Sequence, residues 1–209
     1  MKKQLLIIFV KNIKLGKVKT RLAKIIGNEA AFEIYKTLVK ITEKATKNLS
    51  VETHIYFSDE VIHTKWNNNF KTTQSGNNLG ERMRNAFQDG FKKGFEHIIL
   101  IGSDLPEISS IIIENGFSAL EKNDVVFGKA ADGGYYLIGL SKMNTEIFEN
   151  KPWSTPQLLD VTLQQLKNKQ QSVSLLKSLN DIDTYEDLIT SDFYKNNQHV
   201  QKITSLRTK

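Results

Sequence analysis

Four segments of the sequence carry residues whose type and spacing suit chemistry on phosphates. From Lys11 to Lys24 there are six cationic side chains (Lys11, Lys14, Lys17, Lys19, Arg21 and Lys24) and no acid. Gly16 within them permits a tight turn and a close backbone approach. Lysine as a point charge and arginine as a fork would cradle a diphosphate or triphosphate. The Gly-x-x-x-x-Gly-Lys-Ser/Thr spacing of a P-loop is absent, and a solvated basic loop explains the charges equally well. Gly102-Ser103-Asp104-Leu105-Pro106 follows a strongly apolar run, where Asp104 could hold a divalent cation that bridges phosphates. Asp104 or Ser103 could instead cap the next helix. In Ala131-Asp132-Gly133-Gly134-Tyr135-Tyr136, two glycines let a ligand approach beside an exposed carboxylate, though Asp-Gly also makes an ordinary hairpin turn. Asn180-Asp181-Ile182-Asp183-Thr184 sets two carboxylates one residue apart. A helix cap at Asp183 is the structural reading, and a metal contact from either acid is the functional one. Trp153, in Lys151-Pro152-Trp153-Ser154-Thr155, could stack on a sugar or base or anchor the core.

These segments need a scaffold that brings them together. Apolar runs at Leu5–Val10, Thr53–Phe57 and Ile98–Ile101 read as strands, the first apolar on both faces as in a central parallel strand. Helical periodicity covers 28–48, with Ala31, Ile34, Tyr35, Leu38, Ile41, Thr42 and Ala45 on one face. It returns over 79–94, with Leu79, Met83, Phe87 and Phe91 a turn apart, and over Ser109–Leu120. Val125–Phe127, Tyr135–Leu140 and Ser172–Leu176 read as later strands. A helix is expected from Thr155, capped by its hydroxyl, and a short one after Asp183-Thr184. Strand–helix alternation over the first 120 residues implies an α/β fold with a parallel sheet covered on both faces. The Asp-Gly-Gly interruption implies a late antiparallel strand and hence a mixed sheet. Ligands of such sheets bind outside the carboxyl ends of the strands, where all four segments should lie.

The 209 residues are the size of one domain, and a 39% hydrophobic content supplies a sizeable core. With no cysteine, disulfides, thiolate zinc sites and cysteine nucleophiles are excluded. His54, His63, His97 and His199 are scattered, so neither a hydrolase triad nor a zinc site is expected. The opening lysines and six apolar residues are too short for a signal peptide or a membrane span, and a cytoplasmic protein is expected. Of the net charge of +6, four come from residues 195–209, which hold three lysines, one arginine and no acid. We read residues 1–194 as the functional domain and 195–209 as a solvated basic tail, and we expect no nucleic-acid partner. Oligomeric state is not encoded legibly.

Together the segments resemble the small bacterial glycosyltransferase-A-like proteins known as selenodomain-associated transferases. The resemblance rests on Phe9, Lys11, Gly16 and Val18-Lys19-Thr20-Arg21-Leu22; on Leu79-Gly80-Glu81-Arg82-Met83; on Gly102 to Pro106 and Asp132 to Leu140; on Pro152 to Thr155; and on Asp181 to Leu188. That family is related to the nucleotidyltransferases of molybdopterin and deazaflavin cofactor synthesis. The resemblance implies a three-layer α/β/α sandwich of the nucleotide-diphospho-sugar transferase type with a mainly parallel mixed sheet. It departs at Ile13 and Leu15, where prolines are usual, at Asn78, where an aspartate is common, and at Ala131, where an acid is common.

The implied activity is a metal-dependent glycosyl transfer from a nucleoside-diphosphate sugar to a small-molecule acceptor. In that reading Mg²⁺ or Mn²⁺ is held by Asp104 with Asp181 or Asp183, and Lys19 and Arg21 neutralise the leaving diphosphate. Asp132 orients or deprotonates the acceptor. Lys11, Gly16, Gly80, Arg82, Gly133, Gly134 and Trp153 complete the binding surface. One alternative is a nucleotidyltransferase that joins a nucleotide to a phosphorylated small molecule and releases pyrophosphate. The other is a non-catalytic nucleotide-sugar binder.

Overall fold

The computed structural model describes residues 2–205. Its strands are β1 (Gln4–Val10), β2 (Glu52–Phe57), β3 (Phe70–Thr73), β4 (His97–Ile101), β5 (Val125–Ala130), β6 (Tyr135–Leu140) and β7 (Val173–Leu179). They form one sheet in the order β3-β2-β1-β4-β6-β5-β7. All neighbours are parallel except that β6 runs antiparallel to both β4 and β5. The apolar strands sit where burial on both faces requires them: Leu5 to Ile8 and Val10 of β1 are sealed from solvent.

Helices cover both faces, as a sheet with two apolar faces demands. On one face α2 (Asn28–Thr46) and α4 (Ser110–Leu120) pack Tyr35, Val39, Ile113 and Phe117 over Leu6, Ile8, Val10 and Ile99. On the other, α3 (Leu79–Lys92) and α5 (Leu158–Asn168) pack Met83, Phe87, Leu159 and Leu166 over Leu5, Ile7, Phe9 and Ile98. A third apolar cluster joins α2 to α1 (Thr20–Ile26), α6 (Tyr185–Thr190), α7 (Asp192–Lys195) and α8 (Gln198–Ser205) through Leu22, Ile26, Ile34, Leu38, Ile182, Leu188 and Val200. The result is the expected three-layer α/β/α sandwich with a mixed sheet. Among the described residues no helix is long and apolar enough to cross a membrane.

Several local expectations differ from the structure. Strand β3 is absent from the sequence reading because its four residues lie at the sheet edge without an apolar run. Helix α5 starts at Leu158 rather than Thr155, whose hydroxyl donates instead to the Pro152 carbonyl at 2.8 Å within a turn. The cap of α6 is Thr184, one residue past Asp183, in a capping box with Asp187. Neither Ser103 nor Asp104 caps α4; Ser109 does. The expected solvated tail is helical from Gln198 to Ser205, because Val200, Ile203 and Thr204 share a face that closes over α2. Residues 206–209 lie outside the described residues.

Candidate active site

Six parallel strands end at one edge of the sheet, and β6 begins there. The segments that follow β1, β4, β5 and β7 are therefore neighbours in space, as is the start of α3. Along this edge runs a cleft of two lobes that share Phe9, Leu79, Gly102 and Asp104. One lobe, of about 400 Å³, is lined by Lys11, Lys19, Arg82, Tyr35, Ser58, Gln74, Ser103 and Asp183. The other, of about 260 Å³, is walled by Met83, Leu100, Leu105, Tyr135, Ile138, Trp153 and Leu158, with Asp132 and Asp181.

Lys19 lines the basic lobe beside the shared Asp104. Its backbone is left-handed (φ 47°), a conformation that turns the chain from the basic loop into α1. Its side chain is only 5% exposed, and Nζ donates to Asp104 Oδ2 at 2.9 Å. Burial opposes both charges, but each ion outweighs it for the other, so the Lys19 ammonium is raised and the Asp104 carboxyl is held below the usual carboxylate range. The loop ahead of Lys19 is pinned from beneath. The Tyr35 hydroxyl accepts the Lys11 N–H at 3.0 Å and lies 3.1 Å from the Lys11 carbonyl and 3.0 Å from Ser103 Oγ. Buried Asn12 accepts the Asp59 N–H at 2.9 Å, donates to the Glu60 carbonyl at 2.8 Å, and so ties the loop after β2 to the loop after β1.

The carboxylates divide into two kinds. Asp183 Oδ2 accepts from Arg21 Nη1 at 2.7 Å, and Arg21 is two-thirds exposed on the rim. Asp181 has no such cation: burial, and then the Asp104 carboxylate with a smaller push from Asp132, drives its carboxyl up to about 6 despite Lys19. Asp132 Oδ1 accepts the Gly134 N–H at 2.9 Å, which fixes its carboxylate toward the apolar lobe. Gly133 is left-handed (φ 88°), and a Cβ there would lie 2.0 Å from the Pro156 carbonyl oxygen.

Lys11, Lys19, Arg82, Asp104, Asp132, Gly134, Trp153, Asp181 and Asp183 thus meet on one cleft. Arg21 stands at its edge through Asp183. Gly16, Gly80 and Gly133 line neither lobe. Gly16 (φ 72°) closes the turn that Lys17 N–H makes to the Lys14 carbonyl. Gly80 lies under Trp153, where a Cβ would come 2.8 Å from the indole. Trp153 packs on the core, as one of its two sequence readings has it, and also lines the apolar lobe. Asn78 caps α3 by accepting the Glu81 N–H at 2.9 Å, and Arg82 Nε donates to the Gly76 carbonyl at 3.1 Å. Ser58 and Gln74 escaped the sequence reading, which placed Tyr35 only on a helix face and Ser103 only as a possible cap. Tyr35 fits the apolar stripe of α2, and Ser58 and Gln74 are small or neutral residues with no distinguishing neighbour.

The donor chemistry fits a hard divalent cation. Asp104 and Asp181 offer oxygen ligands, and their mutual repulsion, written in the raised Asp181 carboxyl, is what such an ion relieves. Among the described residues no three carboxylates or imidazoles converge into a complete cage. That matches the habit of Mg²⁺, which takes one or two protein carboxylates and completes its shell with substrate phosphates and water.

A mostly parallel mixed sheet, with a cationic loop after its first strand and carboxylates at the same edge, defines an α/β fold of the nucleotide-diphospho-sugar transferase and cytidylyltransferase type. Residues 41–155 match the family described as "Uncharacterized protein conserved in bacteria (DUF2064)", and the chain belongs to that family. It is similar to a provisionally assigned nucleotide-diphospho-sugar transferase from Desulfovibrio desulfuricans G20, at 27% identity and a TM-score of 0.87 over 99% of each chain. It shares its fold with a CMP:2-keto-3-deoxy-manno-octonic acid synthetase complexed with CTP, at 11% identity and a TM-score of 0.57, over 90% of this chain and 96% of the other. It also shares it with Rv0371c of Mycobacterium tuberculosis H37Rv in complex with manganese, at 9% identity and a TM-score of 0.54, over 90% and 97%. No curated protein is a significant match to the sequence.

Proposed function

We propose that the protein transfers a glycosyl group from a nucleoside-diphosphate sugar to an acceptor hydroxyl, with Mg²⁺ or Mn²⁺ held by Asp104 and Asp181. The observation that carries this reading is the Lys19–Asp104 pair at 2.9 Å, with Lys19 in the basic lobe and Asp104 on the wall that this lobe shares with the carboxylate-bearing one. The likeness to the Desulfovibrio desulfuricans protein and the resemblance to the selenodomain-associated transferases support it.

In this mechanism Lys11, Lys19 and Arg82 bind the diphosphate in the basic lobe. The acceptor oxygen attacks the anomeric carbon, and its proton passes to Asp132. The bond from that carbon to the diphosphate oxygen breaks, and the electron pair leaves with the diphosphate. Charge growing on that oxygen meets Lys19, already fixed and desolvated, so little reorganisation is needed. The bound ion would act as a Lewis acid that neutralises phosphate charge. Arg21 reaches the phosphates only by exchanging the Asp183 carboxylate for one of them.

Nucleotidyl transfer is the second reading, favoured by the shared fold with a CTP-bound synthetase and by a basic lobe that suits a triphosphate. A panel of nucleoside-diphosphate sugars and triphosphates, incubated with Mn²⁺ and assayed for products, separates the two. Release of nucleoside diphosphate from a sugar nucleotide supports the first reading, and pyrophosphate from a triphosphate replaces it with the second. Nucleotide binding that survives both chelation and Asp104→Ala, with no turnover, leaves only a binding protein.

A further inference from the structure

Lys11, Lys19 and Arg82 supply the cations of the basic lobe, and they are held differently. Lys19 Nζ is locked on Asp104, and Arg82 Nε is tied to the Gly76 carbonyl. Lys11 is exposed, and among the described residues its ammonium has no ion pair or hydrogen bond. A free lysine side chain samples many rotamers, so its placement depends on the backbone that carries it. The sheet does not hold that backbone: the pairing of β1 ends at Val10, whose carbonyl accepts the Ser58 N–H. Beyond it, both main-chain groups of Lys11 meet one side chain of α2. The Tyr35 hydroxyl accepts the Lys11 N–H at 3.0 Å and donates to the Lys11 carbonyl at 3.1 Å. It also lies 3.0 Å from the Oγ of Ser103, the neighbour of Asp104. A hydroxyl has one proton and two lone pairs, so with Ser103 as donor all three are used. The ring is buried in the cluster with Val10 and Val39, and burial raises the hydroxyl's pKa, which keeps it a protonated donor.

We infer that Tyr35 is a positioning residue: its hydroxyl fixes the Lys11 main chain against the Gly102-Ser103-Asp104 turn, and so sets the Lys11 ammonium at the basic lobe for a ligand's diphosphate. The inference rests on the proposed function, in which Lys11 binds that diphosphate. A tyrosine that only had to satisfy its own buried hydroxyl would need a single partner. This one joins the segment after β1, which carries the cations, to the segment after β4, which carries the acid. Tyr35 lines the lobe, but its hydroxyl proton is committed to the Lys11 carbonyl and is not offered to a ligand. Its effect on binding therefore passes through Lys11.

Calorimetric titration of pyrophosphate with Mn²⁺ tests this, using the full chain, Tyr35→Phe, Lys11→Met and the double variant. Tyr35→Phe keeps the ring and should weaken pyrophosphate about tenfold. Lys11→Met should weaken it by a similar factor. In that background Tyr35→Phe should cost less than about twofold, because the ammonium it positions is gone. Urea midpoints should behave otherwise: Tyr35→Phe should lower them equally in both backgrounds, since the lost hydrogen bonds end on the main chain of residue 11. Losses of affinity that simply add overturn the inference and leave Tyr35 a structural residue. Pyrophosphate binding unchanged in Tyr35→Phe or in Lys11→Met overturns it too. Should Tyr35→Phe fail to fold, hydrogen exchange in the parent protein decides. The Lys11 amide should exchange about tenfold more slowly than the exposed Leu15 amide, which has no acceptor among the described residues, and equal rates overturn the inference. A parent that binds no pyrophosphate overturns the diphosphate reading of the lobe and the inference with it, whereas the other failures leave that reading standing.

Discussion

Lys19 and Asp104 contribute unequally to stability, although each is the other's partner. Lys19 is 5% exposed and Asp104 39%, so removing the acid strands a buried ammonium, whereas removing the lysine leaves a carboxylate that water can reach. Asp104→Ala should therefore cost about 2–4 kcal/mol in urea unfolding, clearly more than Lys19→Met. Adding Lys19→Met to Asp104→Ala should recover part of the loss. Asp181 carries a pH signature of the opposite sense to a paired acid. Its folded carboxyl titrates at about 6, above its ordinary value, so the folded protein holds that proton longer than the unfolded chain. The associated stability is fully present below the ordinary carboxylate range and is lost as pH rises through 6. Asp181→Asn should accordingly raise Tm at pH 7.5 and leave it nearly unchanged at pH 4. After discounting for partial exposure the gain is about 1–2 kcal/mol, or roughly 3–6 °C.

At the scale of elements, the turn between β5 and β6 and the packing of α5 hold Asp132 in place. Gly133 is left-handed and its backbone touches the segment leading into α5, with its carbonyl accepting the Leu159 N–H at 3.1 Å. Gly133→Ala drives a methyl into the Pro156 carbonyl, and should cost about 2–4 kcal/mol in denaturant unfolding while displacing Asp132. Much of this layout is legible in the sequence. The apolar runs of β1, β2, β4 and β6 place the strands within a residue or so, and Asp-Gly-Gly announces the antiparallel pair. What escapes is what depends on contact across the chain. Helix α1 is hidden inside the basic loop because Thr20 to Ile26 is too short to show a period. Gly80 and Gly133 read as ligand-facing, but their missing Cβ atoms make room for Trp153 and Pro156. The Arg21–Asp183 pair, 162 residues apart in sequence, has no local signal at all.

For the whole molecule, the C-terminal helix belongs to the fold. Val200 is sealed from solvent in the cluster with Ile34 and Leu38 of α2 and Leu188 of α6. Deleting residues 198–209 exposes that cluster and should lower Tm by several degrees, whereas removing a solvated tail would leave it unchanged; differential scanning of the truncated chain decides. The same architecture sets the decisive test of the cleft, because β1 contributes the cations and β4 and β7 the acids only when the sheet is assembled. That test is isothermal titration of a panel of nucleoside diphosphates into the protein and into Asp104→Asn, each with Mn²⁺ and with EDTA. The expected result is a ligand that needs Mn²⁺ in the parent and binds Asp104→Asn at least tenfold more weakly in Mn²⁺. With EDTA the variant should bind no worse than the parent, because it has lost a repelling carboxylate. A panel with no binder under either condition, or a binder indifferent to both the ion and Asp104, would contradict the proposal that this cleft grips a nucleotide's diphosphate around a metal.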